Sequence, residues 1–460
     1  MKSPTICIDL GASYTKVGFR PECTPAIGAP FDHEASVLLV DGNPLIPSLA
    51  VQTKGSDSRW LFGMEAADYR PAAGSVVHTN WKSGLYQSGN DGQAAHAAVI
   101  AEKFFSWLKG KLTPFVNDWA FNRVRITLPA FANGKNLEAV VRKCLDLADW
   151  NPGEIEITTE PHANAIGLMT VGRNIVTRGR DGVFVDFGSM FGQGNPYIRT
   201  ARSAILGSAK KKFLRVAVID IGAFTTDLAI LEFNVATLGS SDDGLSALEQ
   251  ESFPVGTHDF LDNLFWKRLH AEHGDFIDRL TFAEKEELKR RIFVGEEYSV
   301  TIEGMRMRFG SAGDVAAASQ SAYDFSTKVW NDIKRTFSAA NADVVYLTGG
   351  GSKIESVADQ LAKNISNIAT QPAVAMHKKI SGTGWKNWRS SGEGLDRLAT
   401  AIGGVSVIGP QPLSAVNIGL KLRDRLEPSF QADRPTIKSC TCHGNPDCPR
   451  CKGSGYINVS

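Results

Sequence analysis

The 460-residue chain has no stretch near the roughly 18 consecutive apolar residues of a membrane span, which excludes a helical membrane protein. Net charge is almost absent too, with 50 Lys+Arg against 49 Asp+Glu. A surface gripping nucleic acid or anionic lipid over its whole extent is thereby excluded, although local patches are not. Cysteine is scarce through most of the length: Cys7, Cys23 and Cys144 stand alone before the last stretch. That excludes the spread pairs of a disulfide-stapled secreted domain. A secretory signal is not apparent, because after Met1 and Lys2 the chain runs directly into a strand-like segment, Thr5–Leu10. A cytoplasmic location is expected. Disorder is excluded by the 43% hydrophobic content, and the length suits about three domains or one large two-lobed unit with additions.

What is present is a repeated design. Thr5–Gly11 (TICIDLG), Arg215–Gly222 (RVAVIDIG) and Asp343–Gly351 (DVVYLTGGG) are apolar, β-rich runs that end in glycine. Such runs suit strands buried on both faces, with sharp turns at the glycines. The first two share one order: strand, Asp, apolar residue, Gly, short turn, Thr, second apolar strand. The spacing of about two hundred residues is the scale of a duplicated lobe rather than a solenoid period. Helical patterns fall between the strands, at 135–147, 161–170, 260–270, 281–293 and 354–365. Residues 172–214 fit less well and read as an insertion. From Arg173 to Arg215 there are nine basic residues against two acidic, a local charge of +7. Prolines 410, 412, 428 and 435 mark residues 410–435 as a linker.

An Asp followed by a glycine turn between two strands has a physical use. The turn exposes backbone N–H groups to a phosphate, and small residues let the backbone come close. The carboxylate then holds Mg²⁺ through its waters, since that ion keeps most of its hydration shell. Two such turns facing each other would pinch the β- and γ-phosphates, and a third glycine run would accept the flat face of adenosine.

The ordered segments IDLGASYTKVGF, TTEPHANAIGL, VIDIGAFTTDLAIL and YLTGGGSKI resemble the actin, heat-shock chaperone and sugar-kinase ATPase superfamily. The resemblance covers roughly Met1 to Ile408. It is nearest to the nucleotide-binding domain of DnaK-type chaperones, through ITLPAFAN (Ile126–Asn133), EPHANAI (Glu160–Ile166) and VGTHDFLDN (Val255–Asn263). It implies an α/β, two-lobed actin-like ATPase fold with duplicated RNase H-like lobes: lobe I at 1–171, the insertion at 172–214, lobe II at 215–409. It also implies ATP or ADP with Mg²⁺ as cofactors. By position, Asp9 and Asp220 would organise Mg²⁺ through water, and Gly11, Ala12 and Ser13 would hold the β-phosphate opposite Gly222. Lys82 would neutralise the γ-phosphate and steer the attacking water, while Glu160 would hold a water near the hinge. Thr225 and Asp227 would line the γ-phosphate side, and Lys16 stands where actins place a phosphate-contacting lysine. Gly349, Gly350 and Ser352 would flank ribose and adenine. Glu286, Lys289 and Arg290 resemble the adenine-clamping helix face, although a run such as Glu284–Arg291 also suits a solvated face. Two departures point to slow hydrolysis: Ala12 replaces a hydroxyl residue, and Phe224 stands where the chaperones have a third glycine.

The last stretch, SCTCHGNPDCPRCKGSGY, crowds Cys440, Cys442, Cys448 and Cys451 together. Four thiolates in so short a segment can enclose one structural Zn²⁺, and metal binding would then supply the folding energy of residues 436–460. Cys448–Gly455 resembles the Cys-x-x-Cys-x-Gly-x-Gly units of DnaJ-type co-chaperones. A β-sandwich substrate domain of the chaperone kind is not expected after Ile408. The expected function is therefore a nucleotide-driven switch whose state is sensed by a protein partner. A filament-forming actin relative is the alternative, as is a nucleic-acid adaptor using the basic insertion and the zinc module. No membrane partner is expected.

Overall fold

A computed structural model describes residues 5–20, 36–54, 58–72, 74–85, 92–113, 123–130, 134–150, 154–170, 176–178, 184–186, 200, 204, 213–234, 245–368, 370–376, 395–406, 436–439 and 456–459. The chain divides into two compact units, Met1–Val416 and Asn417–Ser460.

The first unit opens with a hairpin, β1 (Thr5–Leu10) and β2 (Tyr14–Arg20), extended by the short β3 (Ser36–Val37) and β4 (Ile46–Pro47). A small sheet follows, made of β5 (Ala50–Gln52), β6 (Trp60–Phe62) and β7 (Val76–His78), with α1 (Gly63–Asp68) between its last two strands. Next come α2 (Lys82–Leu85), α3 (Gly92–Leu112), β8 (Arg123–Leu128), α4 (Gly134–Leu147), β9 (Glu154–Thr159) and α5 (Glu160–Thr170). These give a mixed sheet ordered β3-β2-β1-β8-β9, with β4 also paired to β2. Strands β10 (Val176–Arg178) and β11 (Phe184–Asp186) form a separate antiparallel pair within the basic insertion.

The scheme then repeats. The hairpin β12 (Phe213–Ile221) and β13 (Thr226–Asn234) is flanked by β14 (Leu245–Phe253). A π-helical run, Thr257–Asp262, leads into α6 (Asn263–His273), and α7 (Phe282–Phe293) precedes the ribbon β15 (Tyr298–Ile302) and β16 (Met305–Phe309). The long α8 (Ala312–Ala339), β17 (Val344–Thr348), α9 (Glu355–Ser366), β18 (Ala373–Met376) and α10 (Leu395–Ser406) complete the unit. The second sheet is ordered β14-β13-β12-β17-β18, the same arrangement as the first. In both, an antiparallel hairpin is joined by two parallel strands with a helix crossing between them. The helix-period segments read from the sequence become α4, α5, α6, α7 and α9. The 260–270 segment shifts, because its beginning is taken by the π-helical run and α6 starts only at Asn263.

Alternation along the strands decides what lies between the sheets. In β1, Ile6, Ile8 and Leu10 pack outward with Phe104, Phe105 and Leu108 of α3 and Val141 and Leu145 of α4. Cys7 faces the other way. In β12, Ala217, Ile219 and Ile221 pack outward with Phe325, Val329 and Ile333 of α8 and Leu361 of α9. Leu214, Val216 and Val218 instead join Cys7, Ala165 and Leu168 of α5, and Leu398 and Ile402 of α10, in one central cluster. Helices α5 and α10 thus form a middle layer. They cross at glycines, since a Cβ at Gly403 would stand 1.7 Å from Ala163 O and one at Gly167 1.9 Å from Ala399 O.

The second unit contributes one described hairpin, β19 (Thr436–Ser439) with β20 (Tyr456–Val459), in which Ser439 lies opposite Tyr456. The four cysteines of the expected zinc site, and most of the 172–214 insertion and the 410–435 linker, lie outside the described residues. Among the described residues no helix is long and apolar enough to cross a membrane.

Candidate functional site

The alternation that fills the middle layer with apolar groups also delivers charge to it. Asp9 has the parity of Cys7, and Asp220 has that of Val218, so both carboxylates leave their strands on the inter-sheet side. Both stand at the C-terminal ends of central strands, where open α/β sheets bind ligands. Their neighbours in register correspond as well. Asp9 pairs with Thr127 on one side and Lys16 on the other; Asp220 pairs with Thr348 and Asp227. Where the first hairpin carries a lysine, the second carries an aspartate.

Lys16 Nζ donates to Asp9 Oδ2 at 2.8 Å, and Thr127 Oγ1 donates to Asp9 Oδ1 at 3.3 Å. Burial pushes the Asp220 carboxyl up to about 7, against the pull of Lys16 and with the repulsion of Glu160 and Asp9. Burial likewise holds Asp227 well above the usual range, with Glu160 and Asp220 adding to it. Thr225 Oγ1 and Ser252 Oγ both donate to Asp227, the first at 3.1 Å. Ser252 Oγ also accepts from Ala130 N at 2.8 Å, tying β14 to the end of β8.

Lys82 arrives from the other side. Trp81 is planted in the first core against Phe104, and Asn80 takes a positive φ of 50°, turning the chain inward. Lys82 Nζ then meets Glu160 Oε1 at 2.8 Å, with only 4% of the lysine side chain exposed. Glu160 is the first residue of α5, where the helix N-terminus favours a carboxylate. Burial raises its pKa and Lys82 draws it back. Asp9, Glu160, Asp220 and Asp227 thus meet two lysines. Fully ionised, the group carries an excess of two negative charges.

The two glycine turns are held by their carbonyls. Ser48 donates from Oγ to Gly11 O at 2.7 Å and from its N–H to Ser13 O at 2.9 Å. Thr257 N–H donates to Gly222 O at 3.0 Å, and His258 N–H to Ala223 O at 2.7 Å. In a trans peptide the N–H points opposite to the C=O. The N–H groups of Ala12, Ala223 and Phe224 are therefore directed away from those braces. A Cβ at Gly11 would stand 2.3 Å from Tyr14 O, so the first turn cannot carry a side chain there. Gly349, at φ 84°, closes on the second Asp: a Cβ there would lie 2.2 Å from Asp220 Oδ1. Gly350 is open, whereas the buried Ser352 turns its hydroxyl back to Gly349 O at 2.8 Å.

Of the helix-face residues, Glu286 and Lys289 reach the crevice rim. Lys289 Nζ bonds Glu286 Oε1 at 2.8 Å and Asp262 Oδ2 at 3.1 Å. Burial opposes its charge, but the two carboxylates outweigh that and hold the ammonium above its ordinary range. Arg290 is spent on Glu287 of its own helix. Sequence reasoning missed Ser48, Ser252, Thr127, Thr348 and Asn164. The last sits inside the EPHANA segment, and its Nδ2 donates to Asp220 Oδ2 at 2.8 Å.

The crevice is narrow. A cavity of about 210 Å³, open solvent included, lies among Ala12, Ser13, Ser48, Asn80, His258 and Phe282. Tyr14 spans it, with its OH 3.4 Å from Glu286, Phe282 at its edge (6.3 Å between centroids) and the Arg397 guanidinium 5.1 Å over its ring. Further out, Arg70 bonds Glu284 at 2.7 Å and Arg279 O at 2.9 Å.

Fold and site together define an α/β protein with two mixed sheets of matching order, compatible with duplicated RNase H-like lobes. No protein-family model and no curated protein matches the chain.

Proposed function

We propose that the chain binds ATP or ADP with Mg²⁺ between its two hairpin turns, hydrolyses ATP slowly, and signals its nucleotide state to a protein partner. The observation that carries this reading is the convergence of Asp9 and Asp220, from register-equivalent hairpins, with the buried Lys82–Glu160 pair.

The residues fit a hydrated divalent cation. The carboxylate excess calls for positive charge, and Gly349 lets the backbone close directly on the Asp220 carboxylate. Among the described residues, no three of the four acids bring oxygens within 4.8 Å of one another, which suits holding the ion through its waters. When bound, the ion neutralises charge on the β- and γ-phosphate oxygens.

Asp9 and Asp220 orient the ion's hydration shell, and the N–H groups at Ala12 and Ala223 hold phosphate from opposite turns. Lys82 offsets charge at the γ-phosphate. Glu160, kept close by Lys82, accepts a hydrogen bond from the attacking water and aligns it. Thr225 and Asp227 line the same side, and Lys16 alternates between Asp9 and phosphate. Gly349 and Gly350 give adenosine a flat approach, with Glu286 and Lys289 at its rim. Phe224, in the second turn, keeps turnover low.

Fluorescent ATP and ADP titrations with Mg²⁺ and with EDTA test the reading. Magnesium-dependent binding, lost in Asp9→Asn and Asp220→Asn, is the expected result; absence of binding to wild type refutes it. Partner capture should differ with and without ATP, and should fail after removal of 436–460. One zinc per chain, lost when Cys448 and Cys451 are replaced, is expected for the cysteine segment. The filament alternative is supported by Lys16, and ATP-dependent pelleting would favour it.

A further inference from the structure

Asn164 is 1% exposed and stands on α5 in the middle layer. Its amide nitrogen divides two hydrogens between partners on different elements: Asp220 Oδ2 of β12 at 2.8 Å, and Thr400 Oγ1 of α10 at 3.1 Å. The nitrogen must face the carboxylate, because an amide oxygen there would repel it. The amide oxygen is then left over. Asn164 Oδ1 is buried and has no hydrogen-bond partner among the described residues. Leaving a buried carbonyl-type oxygen without a donor is unfavourable, and asks for a compensating ligand.

Covalent geometry places that oxygen. The two heteroatoms of a side-chain amide are about 2.3 Å apart, so Oδ1 lies within about 5 Å of Asp220 Oδ2. That is the reach of one water bridging an amide oxygen and a hydrated Mg²⁺, whose own waters sit at about 2.1 Å. We propose that Asn164 is a positioning residue of the cation site, fixing Asp220 through Nδ2 and accepting through Oδ1 a hydrogen bond from a water of the bound divalent ion. This rests on the nucleotide reading above and deepens it. The amide completes a hydration cage of which Asp9 and Asp220 are the charged walls. Because Thr400 shares the same nitrogen, the cage is also anchored to the second helix of the middle layer.

The full-length protein is titrated with Mg²⁺ at fixed fluorescent ADP, and with ADP alone in EDTA. For Asn164→Ala, the Mg²⁺ concentration at half-saturation should rise about tenfold, equivalent to about 1.4 kcal/mol, while ADP binding in EDTA stays within twofold. Asn164→Ser, which keeps a polar group too short to span to Asp220, carries the same expectation should the alanine variant not fold. Thr400→Val removes the shared anchor but leaves the amide, and should raise the Mg²⁺ midpoint less than Asn164→Ala does. Unchanged Mg²⁺ midpoints in both Asn164 variants overturn the inference, as does equal weakening in Mg²⁺ and EDTA, the mark of a structural role. Wild type that binds ADP with no Mg²⁺ dependence overturns the cage and the metal reading together, whereas normal wild-type dependence with silent variants removes Asn164 only.

Discussion

Lys82 and Glu160 are 78 positions apart in the chain, yet each is the other's main compensation for burial. Removing one partner of such a pair leaves a charge in a low-dielectric site. Lys82→Ala should therefore cost about 3–5 kcal/mol in urea unfolding, and ATP turnover should drop by about a hundredfold or more. The double change Lys82→Met with Glu160→Gln should restore most of the stability and none of the turnover. His162, two residues on from Glu160, is 4% exposed, and its Nδ1 has no partner among the described residues. Burial pushes its pKa down from 6.5 to about 4. Between those values the unfolded chain takes up a proton that the native one refuses, so stability falls as pH drops through that window. A loss on the order of 3 kcal/mol is expected in unfolding curves from pH 7 to pH 4, and His162→Leu should flatten it. At this scale the sequence was legible where a residue belongs to a turn or motif. Asp9, Asp220, Lys82 and Glu160 do meet. Ser48 and Ser252 were not legible, because they act through single bonds to elements distant in the chain.

Helices α5 and α10 approach so closely that their glycines have no room for a methyl group. Gly403→Ala must push backbone from backbone. The expected loss is about 1–3 kcal/mol or more in thermal unfolding, with weaker nucleotide binding because Asn164 and Thr400 ride on those helices. At the start of α8, Asp314 bonds the N–H groups of Gly310 and Ser311 and receives His273 Nε2 at 2.8 Å. Burial alone would raise its pKa, but these donors outweigh it and hold the carboxyl below its usual range. Asp314→Ala should therefore cost about 2 kcal/mol near neutral pH, measured in urea, and progressively less below the ordinary carboxylate pKa. Strand-then-glycine patterns and amphipathic periods made most elements readable in advance. The π-helical run at Thr257–Asp262 was not, because its helical period continues into α6; Gly256 before it packs against Ala223, a contact the sequence does not reveal.

Across the whole unit the two sheets repeat one topology, and that repetition was visible in the IDLG and VIDIG segments. The closure of the crevice was not, since it depends on Tyr14, Phe282 and Arg70 meeting partners more than two hundred residues away. The space left between the first turn and Phe282 is small and lined by Ala12, Ser13, Ser48, Asn80 and His258. On the proposed function, a nucleotide would enter only if the sheets separate there. The Arg70–Glu284 contact is partly exposed and contributes at most about 1 kcal/mol. Arg70→Ala should thus speed nucleotide entry and release by no more than about fivefold in stopped-flow traces, with the overall affinity little changed. At the rung beside the paired aspartates the matched hairpins carry opposite charge, Lys16 against Asp227. One flank thus offers an aspartate already paired with a lysine, and the other sets two carboxylates side by side. Twofold likeness in the scaffold therefore confers no twofold likeness on the charge it displays.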